Sequence, residues 1–512
     1  MRHVLAAALL ALPAAAGAQD NAPALPVSDP YYVDGETTIA ARRAVKPITK
    51  RAKNVILFIA DGMDPTTVAA ARIYDGQSRG ETGEENYLSF ERFPYLAMSK
   101  TYNTNAQVPD SAGTMSAMMT GVKTKAGVLS VTNGANYGDC ASGLANRALT
   151  LGELSERAGM ATGVISTARV THATPGAVYA HTPDRDWEAD VDLSEEAQTH
   201  GCKDIARQLI EFPFGDGLEV ALGGGRNNFL TTEETDPEYP ERKGRRRDGR
   251  DLTKEWTAKS PAHAYVWSKS EFDAIDLSSS PRVLGLFEPS HMQYETDRDA
   301  DGAGEPSLAE MTSKAIDILA NDKNGFFLMV EGGRVDHAHH AGNAARALRD
   351  AQAFAQAVAA ARAKTSEKDT LIVVTADHGH TLAIQGYPKR GNPILGLATS
   401  IPGGEGGSGD GPALAADGKP YTTLAYANGP GSVFYGDLKD GKRHAPTAEE
   451  VADVNYRQQA LNPSSSESHG GQDVTIYASG PRAYLFGGVV EQSYIFHVIN
   501  DALNLTKRAG AE

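Results

Sequence analysis

The stretch from Phe326 to His340, FFLMVEGGRVDHAHH, constrains the fold more than any other part of the sequence. Its first five residues, Phe326-Phe327-Leu328-Met329-Val330, are an unbroken apolar run, which reads as a buried strand. Glu331 follows where such a strand leaves its sheet, and Gly332-Gly333 supplies a turn. Asp336, His337, His339 and His340 then lead into an Ala-rich helical segment from about 341 to 364. Asp336 and His340 are four apart, so a helix puts both on one face, where a single divalent metal can take both. A lone histidine at a helix start is as well explained by capping or a hydrogen bond. Three histidines, an aspartate and a strand-end glutamate within ten residues point instead to a metal site.

Two further stretches repeat the pattern of an apolar strand ending in an acid. KNVILFIA at 53–60 stops at Asp61-Gly62-Met63, and DTLIVVTADHGH at 369–380 delivers Asp377 and His378. In open α/β sheets ligands gather at the carboxyl ends of strands. His469, in His469-Gly470-Gly471, is placed where the chain returns to the core. Asp61, Glu331 and Asp377 with His340, His378 and His469 suit more than one divalent ion, since zinc accepts mixed His/Asp ligation and Asp61 can bridge two. Elsewhere, QVPDSAGTMSAMMTG at 107–121 sets Ser111 at or near a helix N-terminus, where free N–H groups favour an anion. Capping is the commoner use of a serine there. Residues 160–187 give a strand at Thr162 to Thr167, then His172 and Thr174 in a loop, then Arg185 after a His-Thr-Pro turn. An isolated arginine is ordinarily a solvated charge.

The 512 residues allow one large α/β domain with an inserted subdomain or several average domains. A formal charge of −16 argues against a nucleic-acid or anionic-membrane binder, so a phosphate-bearing ligand would need bound cations to draw it in. Residues 1–18 read as a signal peptide, with Arg2 and His3, an apolar core from Val4 to Leu12, and Ala16-Gly17-Ala18 before Gln19. That core is short for a membrane span, and neither end carries a lipid-anchor signal. A periplasmic or secreted protein without a membrane anchor is expected. In an exported chain Cys140 and Cys202 suit one disulfide, two unpaired thiols being the alternative. Residues 19–52, rich in Pro and Ala at the start, read as an extended N-terminal arm. The basic run from Arg242 to Arg250 reads as a solvated loop. Asp297, Asp299 and Asp301 imitate the start of an EF-hand, but the twelfth position is Leu308 instead of Glu. Residues 386–466, rich in Gly, Pro, Ser and Asp, read as an insertion between the parts of a catalytic domain at 53–385 and 467–505.

Together these motifs resemble the alkaline phosphatases, the animal type more than the enteric bacterial type. The resemblance lies in VILFIADGM at 55–63, VPDSAGT at 108–114, RVTHATPGAVYAHTPDRDW at 169–187, LGGGR at 222–226, TDPEYP at 235–240 and LFEPSHMQYE at 286–295. It continues in GFFLMVEGGRVDHAHH at 325–340, VTADHGH at 374–380 and YRQQ at 456–459. It implies an α/β fold with a central, mostly parallel sheet flanked by helices and a crown-like insertion at 386–466, assembled as a homodimer. It also implies hydrolysis of small phosphate monoesters with two zinc ions and one magnesium. Asp336, His340 and His469 would hold the first zinc, and Asp61, Asp377 and His378 the second. Asp61, Thr174 and Glu331 would hold magnesium. Ser111 would be the nucleophile, Arg185 the fork on two phosphate oxygens, and Asp110 the residue that orients it. His172 and His337 stand where the enteric type has Asp and Lys, which implies a looser, water-mediated magnesium shell. A further calcium-like site would use Glu238, the Phe287 carbonyl, Glu288 and Glu305, the last in place of an Asp. The family's cysteine pair falls on Cys140 and Cys202.

A phosphodiesterase or sulfatase of the same superfamily is the alternative. PDSAGT is not the Cys-x-Pro-x-Arg setting of a sulfatase, and a diester needs the space that Arg185 and the magnesium set would fill. A metal-binding surface protein without catalysis would not need the full set of ligands and the nucleophile together.

Overall fold

The computed structural model describes residues 24–401, 403, 411–432, 434 and 442–511, so the signal segment 1–18 lies outside the described residues. The chain divides into two compact units, Met1–Lys46 and Pro47–Glu512. The first holds a helix, Pro30–Ala44, where the sequence suggested extended chain. Asp29 caps it by accepting Tyr31 N–H at 2.9 Å, Pro30 opens it, and Arg42 and Arg43 fall in its last turn. Those end signals outweigh the Pro/Ala bias of the flanking residues. None of its residues is buried.

The second unit is built on a ten-stranded sheet. From one edge the strands run Val489–Glu491, Tyr95–Lys100, Val474–Ser479, Thr370–Thr375, Asn54–Ala60, Phe326–Gly332, Ala161–Arg169, Val220–Gly224, Arg282–Leu286 and His263–Val266. Every pairing is parallel except the two made by Val474–Ser479. This is the expected mostly parallel α/β architecture. The central strands are apolar on both faces because both are covered. Val55, Leu57 and Ile59 join one core, while Ile56, Phe58 and Ala60 join the other. Helices Leu308–Leu319 and Ala344–Lys364 pack on the second face, and helix Tyr494–Leu503 packs on the first.

Strands Thr370–Thr375, Asn54–Ala60 and Phe326–Gly332 are neighbours at the middle of the sheet, so their carboxyl ends converge. Two smaller ladders complete the unit. Leu382–Ile384, Leu424–Gly429 and Ala460–Pro463 form a three-stranded sheet, and His469–Gly470 pairs with Gly379–His380. The latter pairing brings the late His469 back to the strand ends. Cys140 and Cys202 form the expected disulfide, with their Cα atoms 6.0 Å apart. The basic run is not wholly solvated. Arg246 is fully buried, its guanidinium donating to Asp204 at 2.9 Å and also to Asp248, because paired carboxylates replace the water it gives up. Among the described residues no helix is long and apolar enough to cross a membrane.

Candidate functional site

The strand ends place the acids as the apolar runs implied. Asp61 follows Ala60, Glu331 is the second-to-last residue of its strand, and Asp377 lies two residues beyond Thr375. Gly62 turns the chain with φ 74°, and a Cβ there would lie 2.4 Å from the His380 ring. Only glycine therefore lets Asp61 and His380 share this space.

Asp336 and His340 occupy a short helix, Arg334–His340, that ends before helix Ala344–Lys364. His340 Nδ1 donates to the Glu467 carbonyl at 2.5 Å, and His469 Nδ1 donates to the Pro109 carbonyl at 2.8 Å. Each ring therefore keeps its proton on Nδ1 and turns a lone pair outward on Nε2. These two Nε2 atoms face each other at 3.1 Å, with Asp336 Oδ1 3.3 and 3.4 Å away. Two lone pairs at that distance repel unless a cation lies among them, so the set fits a metal ion. His380 also belongs to this group but differs in chemistry. Its Nε2 meets Asp336 Oδ1 at 2.8 Å and its Nδ1 meets Glu467 Oε2 at 2.6 Å. Burial opposes charge on His380, yet the bonds to Asp336 and Glu467 prevail and raise it to about 10. It is an imidazolium that orients Asp336, with no lone pair left for a metal. Burial would raise Asp336 too, but His340, His380 and His469 hold it well below the usual carboxylate range.

Next to this group stand Asp61, Asp377, His378 and Ser111. His378 Nε2 lies 3.1 Å from Ser111 Oγ, 3.3 Å from Asp61 Oδ1 and 3.4 Å from Asp377 Oδ2. Asp61, Asp336 and His378 together offer a three-ligand set. Asp377 is pinned beside them, its Oδ1 accepting Gly62 N–H at 3.1 Å and its Oδ2 accepting Thr114 Oγ1–H at 3.3 Å. Burial, then the charges of Asp377, Asp336 and Glu331, push Asp61 well above its ordinary value. Ser111 does not cap its helix, Ser111–Thr120. Asp110 does, accepting Gly113 N–H at 3.1 Å, which leaves the buried Ser111 hydroxyl in the first turn facing His378. The other Asp110 oxygen accepts Gly127 N–H at 2.9 Å and Arg185 Nη1 at 3.3 Å. Arg185 is thus held by a carboxylate and is not a free surface charge.

A third set lies on the far side of Asp61. Asp61 Oδ1, His172 Nδ1, Thr174 Oγ1 and Glu331 Oε1 are all buried without hydrogen-bond partners. Such atoms are normally paired, and Asp61, His172 and Glu331 offer ligand atoms within 4.8 Å of one another, so they fit a cation. Glu331 also accepts from Ser166 Oγ, and burial raises it to about 7. His172 stands beside these acids with its Nε2 accepting from Arg185 Nη2 at 3.2 Å, while His337 turns its Nδ1 to Arg334 Nη1 at 3.2 Å. Farther away, Glu238 and Glu288 gather with Asp301, whose two carboxylate oxygens are buried and unpartnered. Phe287 is buried beside Glu288 in the chain, and Glu305 turns to Gln293 N–H at 3.0 Å instead of joining them.

Sequence reasoning missed His380, Glu467, His291 and Asp301. His380 sits inside VTADHGH and Glu467 two residues before His469, so their neighbours could have flagged both.

The family model of alkaline phosphatase matches residues 52–505. The tissue-nonspecific alkaline phosphatase of Mus musculus is 44% identical over 470 residues, covering 91% of this chain and 86% of that protein. The alkaline phosphatase of Gadus morhua is 43% identical over 455 residues, covering 88% and 91%. Among solved structures, the Thermus thermophilus alkaline phosphatase has a TM-score of 0.63 at 24% identity, covering 92% of this chain and 95% of that one. The enzyme of the Antarctic bacterium TAB5 has a TM-score of 0.58 at 21% identity, covering 89% and 99%. With strand-end acids, imidazoles and a helix-start serine converging as described, the chain belongs to the alkaline phosphatase family, the metal-dependent hydrolases of phosphate monoesters.

Proposed function

We propose that the enzyme transfers the phosphoryl group first to Ser111 and then to water, with two zinc ions and one magnesium as resident cofactors. Asp336, His340 and His469 would hold one zinc, and Asp61, Asp377 and His378 the other. Asp61, Thr174 and Glu331 would hold magnesium, with His172 and His337 in a water-mediated shell behind. When bound, such cations favour the alkoxide form of a neighbouring hydroxyl and neutralise charge on the entering and leaving oxygens. Ser111 Oγ attacks phosphorus as the ester P–O bond breaks on the opposite side. Arg185 grips two of the remaining oxygens, and Asp110 fixes its plane. The N–H groups at the start of helix Ser111–Thr120 add to that stabilisation. Water then enters where the alcohol left, so two inversions retain the configuration at phosphorus.

The observation carrying this reading is the Ser111 hydroxyl, released from capping by Asp110 and set 3.1 Å from His378 Nε2. Ser111→Ala should lower turnover of an aryl monophosphate by at least about 10³-fold and abolish an acid-trapped phosphoserine. Parent-like turnover in that variant would sink the reading. An aryl diester and an aryl sulfate, assayed with and without chelator, separate the superfamily alternatives.

The same reading takes in export to the periplasm or medium, an arm at 19–52, a catalytic body at 53–385 and 467–505, and an insertion at 386–466. A homodimer is supported by the helix Pro30–Ala44, which leaves Val33 and Ile39 about half exposed, at 49% and 47%. A calcium site is assigned to Glu238, Glu288 and Asp301 near Phe287, with Glu305 supporting the Gln293 backbone.

A further inference from the structure

We propose that Asn103 is a positioning residue: by holding the Pro109–Asp110 peptide plane it sets the start of the nucleophile's helix, the Arg185 fork and the His469 ring together. The inference rests on the reading that Ser111 and Arg185 handle the phosphoryl group.

A trans peptide is rigid, so its C=O and N–H point in opposite directions and turn as one. The Pro109–Asp110 unit is trans, and both of its ends are engaged. The Pro109 carbonyl accepts His469 Nδ1–H at 2.8 Å, and the Asp110 N–H donates to Asn103 Oδ1 at 2.8 Å. Asn103 therefore acts on His469 through one peptide plane. The same plane leads into Asp110, which caps the helix beginning at Ser111 and accepts from Gly127 and Arg185. Rotation of this single unit would swing the His469 lone pair, the Asp110 carboxylate and the Ser111 hydroxyl at the same time.

The surroundings of Asn103 resist such a rotation. Its side chain is buried, and its backbone closes a tight turn, Asn103 N–H donating to the Ala106 carbonyl at 3.1 Å and Ala106 N–H returning to the Asn103 carbonyl at 3.2 Å. That turn is strapped to the segment ahead of Gly127. Thr104 N–H donates to the Thr124 carbonyl at 3.0 Å, and Ala126 N–H donates to Asn105 Oδ1 at 2.8 Å. One turn thus holds Asp110 by its backbone and steadies the neighbour of the peptide that holds its carboxylate. Gly113 makes room for the amide, since a Cβ there would lie 2.1 Å from Asn103 Nδ2. An asparagine suits the place chemically. Its carbonyl oxygen satisfies an N–H that is costly to bury alone, and it adds no negative charge beside an anionic substrate.

The test uses the metal-loaded enzyme. Asn103→Ala should lower kcat/KM for an aryl monophosphate about 10–100-fold and raise the Ki of inorganic phosphate about tenfold. Its zinc should also pass to a chelator faster, because His469 loses its fixed direction. Ki does not depend on how much of a sample is folded, so a merely structural defect leaves it unmoved. Asn103→Asp keeps an acceptor of the same length and should release zinc as slowly as the parent. Asn103→Ser, too short to reach the peptide, is read like Asn103→Ala and replaces it should that variant fail to fold. A parent-like phosphate Ki or parent-like zinc release in the short variants overturns the proposal. So does zinc release from Asn103→Asp as fast as from Asn103→Ala. An Arg185→Ala control that leaves the phosphate Ki unchanged would instead overturn the reading of the phosphoryl site.

Discussion

The molecule holds two histidine clusters near the carboxyl ends of the middle strands, and they differ in their neighbours. His340, His378, His380 and His469 face Asp61, Asp336, Asp377 and Glu467. His172, His291 and His337 face Arg185, Arg169 and Arg334. In the first cluster the Nε2 lone pairs of His340, His378 and His469 meet carboxylates, which a cation reconciles, while His380 is bonded through both nitrogens. In the second, the imidazoles accept from guanidiniums, two of which are paired with Asp110 and Glu188. The same side chain therefore meets opposite charges, decided by which partner takes its second nitrogen. His172 joins the two, standing beside Asp61 and Glu331 while its Nε2 accepts from Arg185.

The largest test removes the acid from the first cluster. Asp336→Asn leaves imidazoles without their carboxylate, and kcat/KM should fall by about 10³-fold or more with loss of bound metal. Metal analysis beside a monoester assay reads both; full metal content in an inactive variant would mean that Asp336 is not a ligand. A smaller effect follows from His380→Gln, which keeps the ligands but frees Asp336 to rotate. Metal affinity should drop some 10–100-fold in competition with a chelator, and activity should recover at high zinc. Recovery would mark a positioning role, whereas persistent loss at saturating zinc would mark direct ligation.

The mildest test moves to a buried acid whose strongest charged neighbour is another acid, Glu219. Glu156 is 2% exposed with both oxygens unpartnered, and burial, then Glu219, raises it to about 9. A raised carboxylate pKa costs nothing below its unfolded value near 4.5. The cost grows as pH rises from there and levels off above about 9, since the unfolded chain ionises first. Glu156→Gln should therefore melt a few degrees higher at pH 8, with the gain vanishing toward pH 4.5. A gain independent of pH would show that ionisation is not the cause.

Much of the first cluster was legible because three apolar runs each end in an acid, a pattern independent of distant contacts. Ser111 was legible as a helix-start residue, but its freedom from capping depended on Asp110 taking that role. His380 was hidden because a histidine's function lies in what each nitrogen touches, and Glu467 is 87 residues away. Asp301 lay in a stretch set aside for its failed EF-hand spacing, yet folding brings it to Glu238 and Glu288 while the longer Glu305 turns inward. Helix Pro30–Ala44 was obscured by the proline-rich residues around it, although Asp29-Pro30 is itself a start signal.

Asp110 spreads its two oxygens over the start of the nucleophile's helix, the Gly127 peptide and the Arg185 fork. Attack and grip are thus surveyed from a single post. The distance between the hydroxyl and the arm that clasps its target becomes a fixed gauge, insensitive to drift in the surrounding loops.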